Sequence, residues 1–416
     1  MFFEQALKVF SIIIVGIYIA RYLGPYEFGL LSYAIAIGSI FMAISRLGME
    51  SVLIRNLVSQ TTISSDSYLG TSFTLMFASA VISATLMYGF LYVFEANDKL
   101  ITYILIISMG LLAQPFMVID YNFQSQIQAK YSAISKSVAL LVGAVLKLVL
   151  VYINADLLWI VLAYAGEHIL VAVLLMRVHI VRKQPSFLFK YNAKVAKELM
   201  ISAWPLLLSA LTIILYMRVD QIMIKSLLGV EHLGLYSAVA RIYEGWLMIA
   251  VILSASLLPA IIKSKNQSQE IYEKRLTYLF ALVFWLCILV SVFVSIIGND
   301  LIILTFGSEY SASALTFTII MWSSSFAALG SVSNRYLVAE KMEKKIALRT
   351  FIALMINIVL NFILIPRYGI EGAAIATLVC LIVANYLVDY FDKELVQLLR
   401  MKNNAIKLKF NVSVNR

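Results

Sequence analysis

Apolar stretches recur along the whole chain, separated by short polar or glycine-bearing breaks. Each is roughly 20 residues long, the length a helix needs to cross about 30 Å of hydrocarbon. The first covers residues 3–22, and the turn after it carries Gly24 and Pro25, with Gly29 opening a second helix that reaches residue 53. Helices three and four fall at 67–94 and 100–121, the latter with Pro115 as an expected kink. A Gln- and Ser-rich amphipathic connection at 122–136 precedes helix five, which runs to 153; the turn Asn154-Ala155-Asp156 follows, and helix six ends near 177. The most polar connection, 178–200, carries Arg182, Lys183, Lys190, Lys194 and Lys197. Helices seven and eight then reach 258, where Pro259 opens a loop, and helix nine spans 276–297 before the turn Gly298-Asn299-Asp300. Helix ten, broken early by Gly307-Ser308-Glu309, ends at 338; helix eleven ends at 365, and a turn at 366–371 leads to helix twelve, ending at 389.

The pattern predicts an all-α polytopic membrane protein of about 12 transmembrane helices. It divides into a six-helix lobe at 1–180, a cytoplasmic connector at 181–200, a second six-helix lobe at 201–390 and a basic cytoplasmic tail at 391–416. The two lobes read as an internal duplication. Leu23-Gly24, three residues, Phe28-Gly29 and Leu-Leu-Ser-Tyr-Ala in the first half match Leu228-Gly229, three residues, Leu233-Gly234 and Leu-Tyr-Ser-Ala-Val in the second.

Composition agrees with the pattern: 62% hydrophobic residues, 13% charged and a mean hydropathy of +0.90 leave more apolar surface than one soluble core can hide. The first helix lacks a basic leader and a small-x-small cleavage site, so it reads as a retained span. A net charge of +10 would suggest nucleic acid in a soluble protein, but here its distribution points to the membrane. With both ends inside, the inner loops take Arg55, Lys130, Lys136, the five connector residues, Lys263, Lys265, Lys274, Arg275, Lys341, Lys344, Lys345, Arg349 and the tail. The outer loops take only Lys99, Lys225 and Arg367, with acidic tips at Glu95, Asp156 and Asp300. Cys287 and Cys380 lie in apolar runs without metal spacing, and no metal or cofactor is expected.

Eight basic residues remain within or at the ends of helices: Lys8, Arg21, Arg46, Lys147, Arg177, Arg218, Arg241 and Arg335. A cation at the bilayer centre costs about 2.5–3.5 kcal/mol on insertion scales, so such residues face a partner or a cavity. Arg21 and Arg177 can snorkel from helix ends. Lys8, Arg46 and Arg241 have Glu4, Glu50 and Glu244 at helical pairing distance. Counted from the outer turns at 1.5 Å per residue, Lys147, Arg218 and Arg241 lie about 10–15 Å deep and form one expected layer. Lys8, Arg46 and Arg335 form a second toward the cytoplasm. Together they are candidates for holding an anionic head group. The embedded acids Asp220, Glu167, Glu244 and Asp120 are candidates for ion coupling, with Asp220 foremost and Glu167-His168 a proton-relay pair. No phosphate-binding loop or nucleophile elbow is present, and the chain reads as a transporter rather than an enzyme.

Three runs, ARYLGPYEFGLLSYA, AWPLLL with RVDQIMIKSLLGVEHLGLYSAVARI, and PRYGIEGAAIATLV, closely resemble the O-antigen and polysaccharide flippases of Wzx type. These belong to the multidrug/oligosaccharidyl-lipid/polysaccharide exporter superfamily. The resemblance implies two six-helix lobes around a central cavity in a bacterial inner membrane. The implied substrate is an undecaprenyl-diphosphate-linked sugar repeat unit of lipopolysaccharide biosynthesis, moved from the cytoplasmic to the periplasmic leaflet with H+ or Na+ coupling. It also implies partnership with an O-antigen polymerase and chain-length proteins. Basic cavity residues in such families meet the lipid diphosphate. A multidrug exporter of the same superfamily would need a more acidic or apolar cavity, and a peptidoglycan-precursor flippase generally has two further helices. A membrane polymerase or glycosyltransferase would need a larger extramembrane loop.

Overall fold

The computed structural model describes residues 7, 9–59, 64–184, 186–188, 190–265 and 268–409. Among them every regular element is a helix. After a π-helical turn at Ser11–Val15 come α1 (Gly16–Ser45), α2 (Met49–Val58), α3 (Ser65–Phe94) and α4 (Asp98–Ser108). A 3-10 segment, Met109–Phe116, joins α4 to α5 (Met117–Ser125), followed by α6 (Lys130–Tyr152), α7 (Leu157–Val181) and α8 (Ala193–Leu228). The chain continues through α9 (Val230–Ser264), α10 (Gln269–Phe306), α11 (Ala314–Ala339), α12 (Glu343–Asn385) and α13 (Val396–Ile406).

Ten helical stretches among the described residues are long and apolar enough to span a bilayer. The two longest, Ile13–Val58 and Glu343–Phe391, hold 46 and 49 residues, about twice what one crossing requires. Both contain a glycine with non-helical angles, Gly24 (φ 71°, ψ 171°) and Gly369 (φ 61°, ψ −140°), so each is two helical arms run together. Twelve crossings result only if each arm crosses separately. A single glycine also separates α8 from α9, at Gly229 (φ 97°), and ends α10, at Gly307 (φ 102°). These φ values lie where a Cβ is strained, which is why glycine occupies all four reversals.

Several boundaries differ from the sequence expectation. The second predicted helix is interrupted at residues 46–48, where Leu47 (φ 53°) and Gly48 (φ 65°) turn the chain between α1 and α2. Pro115 does more than kink a helix: it lies within eight residues of 3-10 helix. Pro259 lies inside α9 and ends nothing, a placement membrane helices tolerate. Gly298 also stays helical, and the reversal waits for Gly307. A Cβ on Gly298 would sit 3.3 Å from Thr318 Oγ1, so this glycine serves helix packing rather than a turn.

Contacts divide the chain into two compact units. One contains Leu30–Arg218, and the other Ile12–Gly29 with Val219–Arg416, so α1 and α8 each contribute to both. The first unit packs Met49, Val52, Tyr68, Met76, Ile119 and Leu199 into one core, and the connector is part of it. Phe187 is buried with its ring 5.6 Å from Phe73 and 5.1 Å from His179, and Lys190 reaches Asp66 at 2.5 Å. In the second unit α10, α11 and α13 share a core that includes Tyr272, Phe280, Leu329, Leu398 and Met401. There the two duplicated turns also meet. A Cβ on Gly29 would collide with the carbonyl oxygen of Val230, and one on Gly234 with the carbonyl oxygen of Pro25. Val230 follows Gly229 as Pro25 follows Gly24, so the contact is reciprocal: each repeat's second glycine receives the backbone just past the other's first.

Candidate functional site

In the first unit the turn after α1 places Arg46 at a cavity of about 500 Å³. Ser39, Met42, Glu50, Tyr121, Tyr164 and His168 also line it. Gly48 lets this turn press on α8, since a Cβ there would lie 2.7 Å from the backbone nitrogen of Leu207. Arg46 Nε donates to Gln114 Oε1 at 2.7 Å, and Gln114 Nε2 in turn donates to the carbonyl of Gly110 at 3.3 Å. The second bond fixes which end of the Gln114 amide faces Arg46. Pro115 therefore has a structural consequence, because the 3-10 segment it occupies is what delivers Gln114. Gly110 in the same segment admits His168: a Cβ would stand 3.0 Å from its ring.

Arg46 and Glu50 are both exposed, and among the described residues they form no ion pair with each other. The expected four-residue pairing presumes an unbroken helix, and the turn at 46–48 removes it. With Nε held by Gln114, the terminal guanidinium nitrogens remain to meet an anion through two parallel bonds.

Lys147 lies behind the cavity wall, only 3% exposed. Its ammonium contacts Glu167 Oε2 at 2.7 Å and sits 4.1 Å from the ring centre of Tyr164, a cavity-lining residue. Gly143, on the lysine's own helix face, makes room for this pair, since a Cβ would come within 2.7 Å of the Glu167 carboxylate. Glu167, proposed from sequence as an ion-coupling acid, is thus the partner of Lys147. Asp120, buried, is paired with Lys136 at 3.0 Å. Arg218 is half-buried on the part of α8 that belongs to this unit.

The second unit holds the remaining described candidates, so Lys147 and Arg218 fall in one unit and Arg241 in the other. Arg241 stacks 4.8 Å from the ring of Phe28 and fills the space left by Gly16. Glu244 is half-buried on the same helix. Arg335 donates from Nη2 to the carbonyl of Val251 at 3.4 Å, while its Nε is buried without a hydrogen-bond partner. Lys8 lies outside the described residues.

Asp220 has the most developed surroundings. It is 7% exposed and accepts from Tyr236 (2.8 Å, α9), Asn361 (2.6 Å, α12) and Thr377 (2.8 Å, second arm of α12). Asn361 also donates to Asn357 at 2.9 Å, and Asn361 Oδ1 is buried with no donor. All three partners of the carboxylate are neutral. A buried carboxylate without a positive partner is costly, unless a proton or a cation joins it. Oxygen atoms are what a hard cation takes as ligands, and the unpartnered Asn361 oxygen is one more that such an ion could use. Sequence reading singled out Asp220 but missed Tyr236, Asn357, Asn361 and Thr377. The one available signal was the pair of asparagines four residues apart in an apolar helix.

Residues 8–265 match the model of a family described as polysaccharide biosynthesis protein. The chain belongs to that family. Among curated proteins it is 25% identical over 406 residues to the capsular polysaccharide biosynthesis protein CapF of Staphylococcus aureus, across 95% of this chain and 98% of that one. Among solved structures it superposes on the lipid II flippase MurJ in an inward closed conformation with a TM-score of 0.77 at 15% identity, covering 98% of this chain and 90% of the other. An inward-facing multidrug resistance MATE family transporter of the MOP superfamily gives 0.71 at 14%, covering 98% and 96%. These structures are transporters, not enzymes, and this member of the polysaccharide biosynthesis family has their all-helical, multi-pass membrane fold.

Proposed function

We propose that the protein flips an undecaprenyl-diphosphate-linked O-antigen or polysaccharide repeat unit from the cytoplasmic to the periplasmic leaflet of the bacterial inner membrane by alternating access. The observation that carries this reading is Arg46, an accessible guanidinium held by Gln114 at a cavity whose lining is mostly apolar and aromatic, with Ser39, His168 and a Glu50 unpaired among the described residues also in it. A diphosphate supplies the charge that Arg46 lacks in a partner acid, and Tyr121, Tyr164 and His168 supply hydrogen bonds and faces for sugar or phosphate. Lys147 adds positive potential from behind Tyr164, tempered by Glu167. Arg218, Arg241 and Arg335 remain candidates for later contacts with the same diphosphate, as does Lys8. The alternation of basic loops supports an orientation with both termini in the cytoplasm. The same pathway implies working alongside an O-antigen polymerase and chain-length proteins.

Asp220 and its neutral shell are the proposed site of the coupling ion, H+ or Na+. Glu244 and Asp120 are secondary candidates. Complementation of a strain that lacks its own flippase tests both assignments. Arg46→Gln is expected to abolish rescue at normal membrane abundance, Arg46→Lys to retain part of it, and Asp220→Asn to abolish it. Full rescue by Arg46→Gln would refute the diphosphate site, and full rescue by Asp220→Asn the coupling site.

A further inference from the structure

Helix α12 is a hairpin of two arms, 343–368 and 370–385, joined at Gly369. The Asp220 shell draws on both: Asn357 and Asn361 from the first arm, Thr377 from the second. Asn361 and Thr377 each lie eight residues from Gly369. Farther along, Arg349 lies eight residues before Asn357, and Asn385 eight beyond Thr377. At 1.5 Å per residue each step is about 12 Å, so the shell sits midway between the glycine joint and the open end of the hairpin.

That open end is closed by charge. Arg349 on the first arm pairs with Asp389, just past the second arm, and Lys402 of α13 pairs with the other oxygen of Asp389 at 2.7 Å. Lys402 also donates to the carbonyl of Asn385 at 2.6 Å. Arg349, Asp389 and Lys402 are 3%, 0% and 0% exposed. Around them Lys345 on the first arm joins Asp392 at 2.5 Å and Glu394 at 2.6 Å, and Tyr386 donates to Asn403 at 2.5 Å. Helix α13 is itself anchored on α10, where Trp285 donates to the carbonyl of Ala405 at 3.3 Å and Gln397 to Glu273. Burying three charges is a poor way to gain stability, since apolar side chains of the same volume serve as well or better. What charges provide instead is a fixed geometry. Asp389 is satisfied only when both arms and α13 are in one arrangement.

We infer that Arg349, Asp389 and Lys402 form a clamp that sets the affinity of the Asp220 site for its cation by fixing the separation of the two arms that supply its ligands. They are positioning residues, in contact with neither ion nor substrate. The inference rests on the reading of Asp220 as the coupling-ion site. A hairpin jointed at one end and clamped at the other holds its midpoint firmly; released at the open end, it can splay and draw Thr377 away from Asn361. Loss of the clamp therefore acts on cation affinity before it acts on the transport pathway.

The test uses the full-length protein in lipid nanodiscs, with Na+ as probe against choline at equal ionic strength, and a parallel pH titration at fixed Na+. The readout is the cation-dependent shift of thermal unfolding, with Asp220→Asn as the reference for a lost site. Lys402→Met leaves the Arg349–Asp389 pair neutral and is the variant that keeps the fold; Asp389→Asn removes the centre of the clamp. Both are expected to weaken the apparent cation affinity by about 10-fold or more, the effect typical of losing a residue that orients metal ligands. Arg349→Lys, which keeps the charge, is expected to retain most of the wild-type affinity. Wild-type cation affinity in Lys402→Met, and in Asp389→Asn where it reaches the membrane, would overturn the clamp and leave the Asp220 site standing. A wild-type protein that responds to neither Na+ nor pH, or responds equally after Asp220→Asn, would overturn both.

Discussion

Lys147 and Glu167 show how a residue's role depends on a partner the sequence does not reveal. The lysine was legible as a costly buried cation, but its acid lies twenty residues away on the next helix, and no periodicity links two helices across a turn. Arg46 is the converse case: its apparent partner one turn along is lost because the helix breaks at Gly48. Asp220 stood out as an embedded acid, whereas the neutral groups around it, being polar but unremarkable in an apolar helix, did not. For the Lys147 pair the structure makes a specific demand. Lys147→Met should leave a mostly buried Glu167 uncompensated and cost about 3–5 kcal/mol, while Lys147→Met with Glu167→Met should recover most of that loss. Thermal unfolding in detergent or nanodiscs reads both. A single variant as stable as the wild type would show that the pair is dispensable for folding.

At the scale of elements, the turns at Gly24 and Gly229 were readable because the same glycine spacing occurs twice. Gly298 was misread as a turn for an equally physical reason: glycine opens space for a neighbouring helix as readily as it reverses a chain, and only the neighbour, Thr318, tells which. Gly29 and Gly234 are of the space-opening kind: both stay helical, and each admits the carbonyl of the other repeat's turn. Gly29→Val and Gly234→Val each force a side chain into a carbonyl, and overpacking of this kind costs about 1–3 kcal/mol or more. Lower abundance in the membrane is expected for both, with Gly89→Ala as a neutral control because nothing lies within 4 Å of its added Cβ. Equal abundance of all three would mean that the reciprocal contact can relax freely.

Helix α13 carries a pH dependence. Burial pushes the Lys402 ammonium down to about 8 from its ordinary 10.5, with Asp389 opposing and Arg349 reinforcing the shift. Between those values the docked helix binds fewer protons than the released one, so docking strengthens as pH rises through that window. Below pH 8 the lysine is charged in both states and the full burial cost persists. Hydrogen exchange across Val396–Ile406, corrected for intrinsic rates, should show protection increasing from pH 7.5 toward about pH 9.5. The increase should vanish in Lys402→Met. Protection that falls with pH in the wild type would contradict the burial argument.

For the whole molecule, length and spacing of apolar segments made the membrane fold legible, and the superpositions on flippase and multidrug transporter structures confirm it. The sites were less legible, since a cavity depends on how helices from distant parts of the sequence approach. Orientation can be tested directly. A reporter active only outside the cytoplasm should be silent after Lys194 and active after Asp98 or Gly307, the last replacing a position near Asn299 that lies within α10. Activity after Lys194 would reverse the topology.

The central claim, that this chain moves a lipid-linked diphosphate oligosaccharide across the bilayer, is tested most directly by reconstitution. Purified protein is placed in liposomes with an undecaprenyl-diphosphate-linked oligosaccharide whose exposure on the outer leaflet is read by an impermeant sugar-modifying enzyme. The account predicts that wild-type protein makes the inner-leaflet pool accessible, faster under an imposed Na+ or H+ gradient, and that Arg46→Gln does so no better than empty liposomes. An inner pool that stays protected with folded wild-type protein, or one released equally by Arg46→Gln, would contradict it.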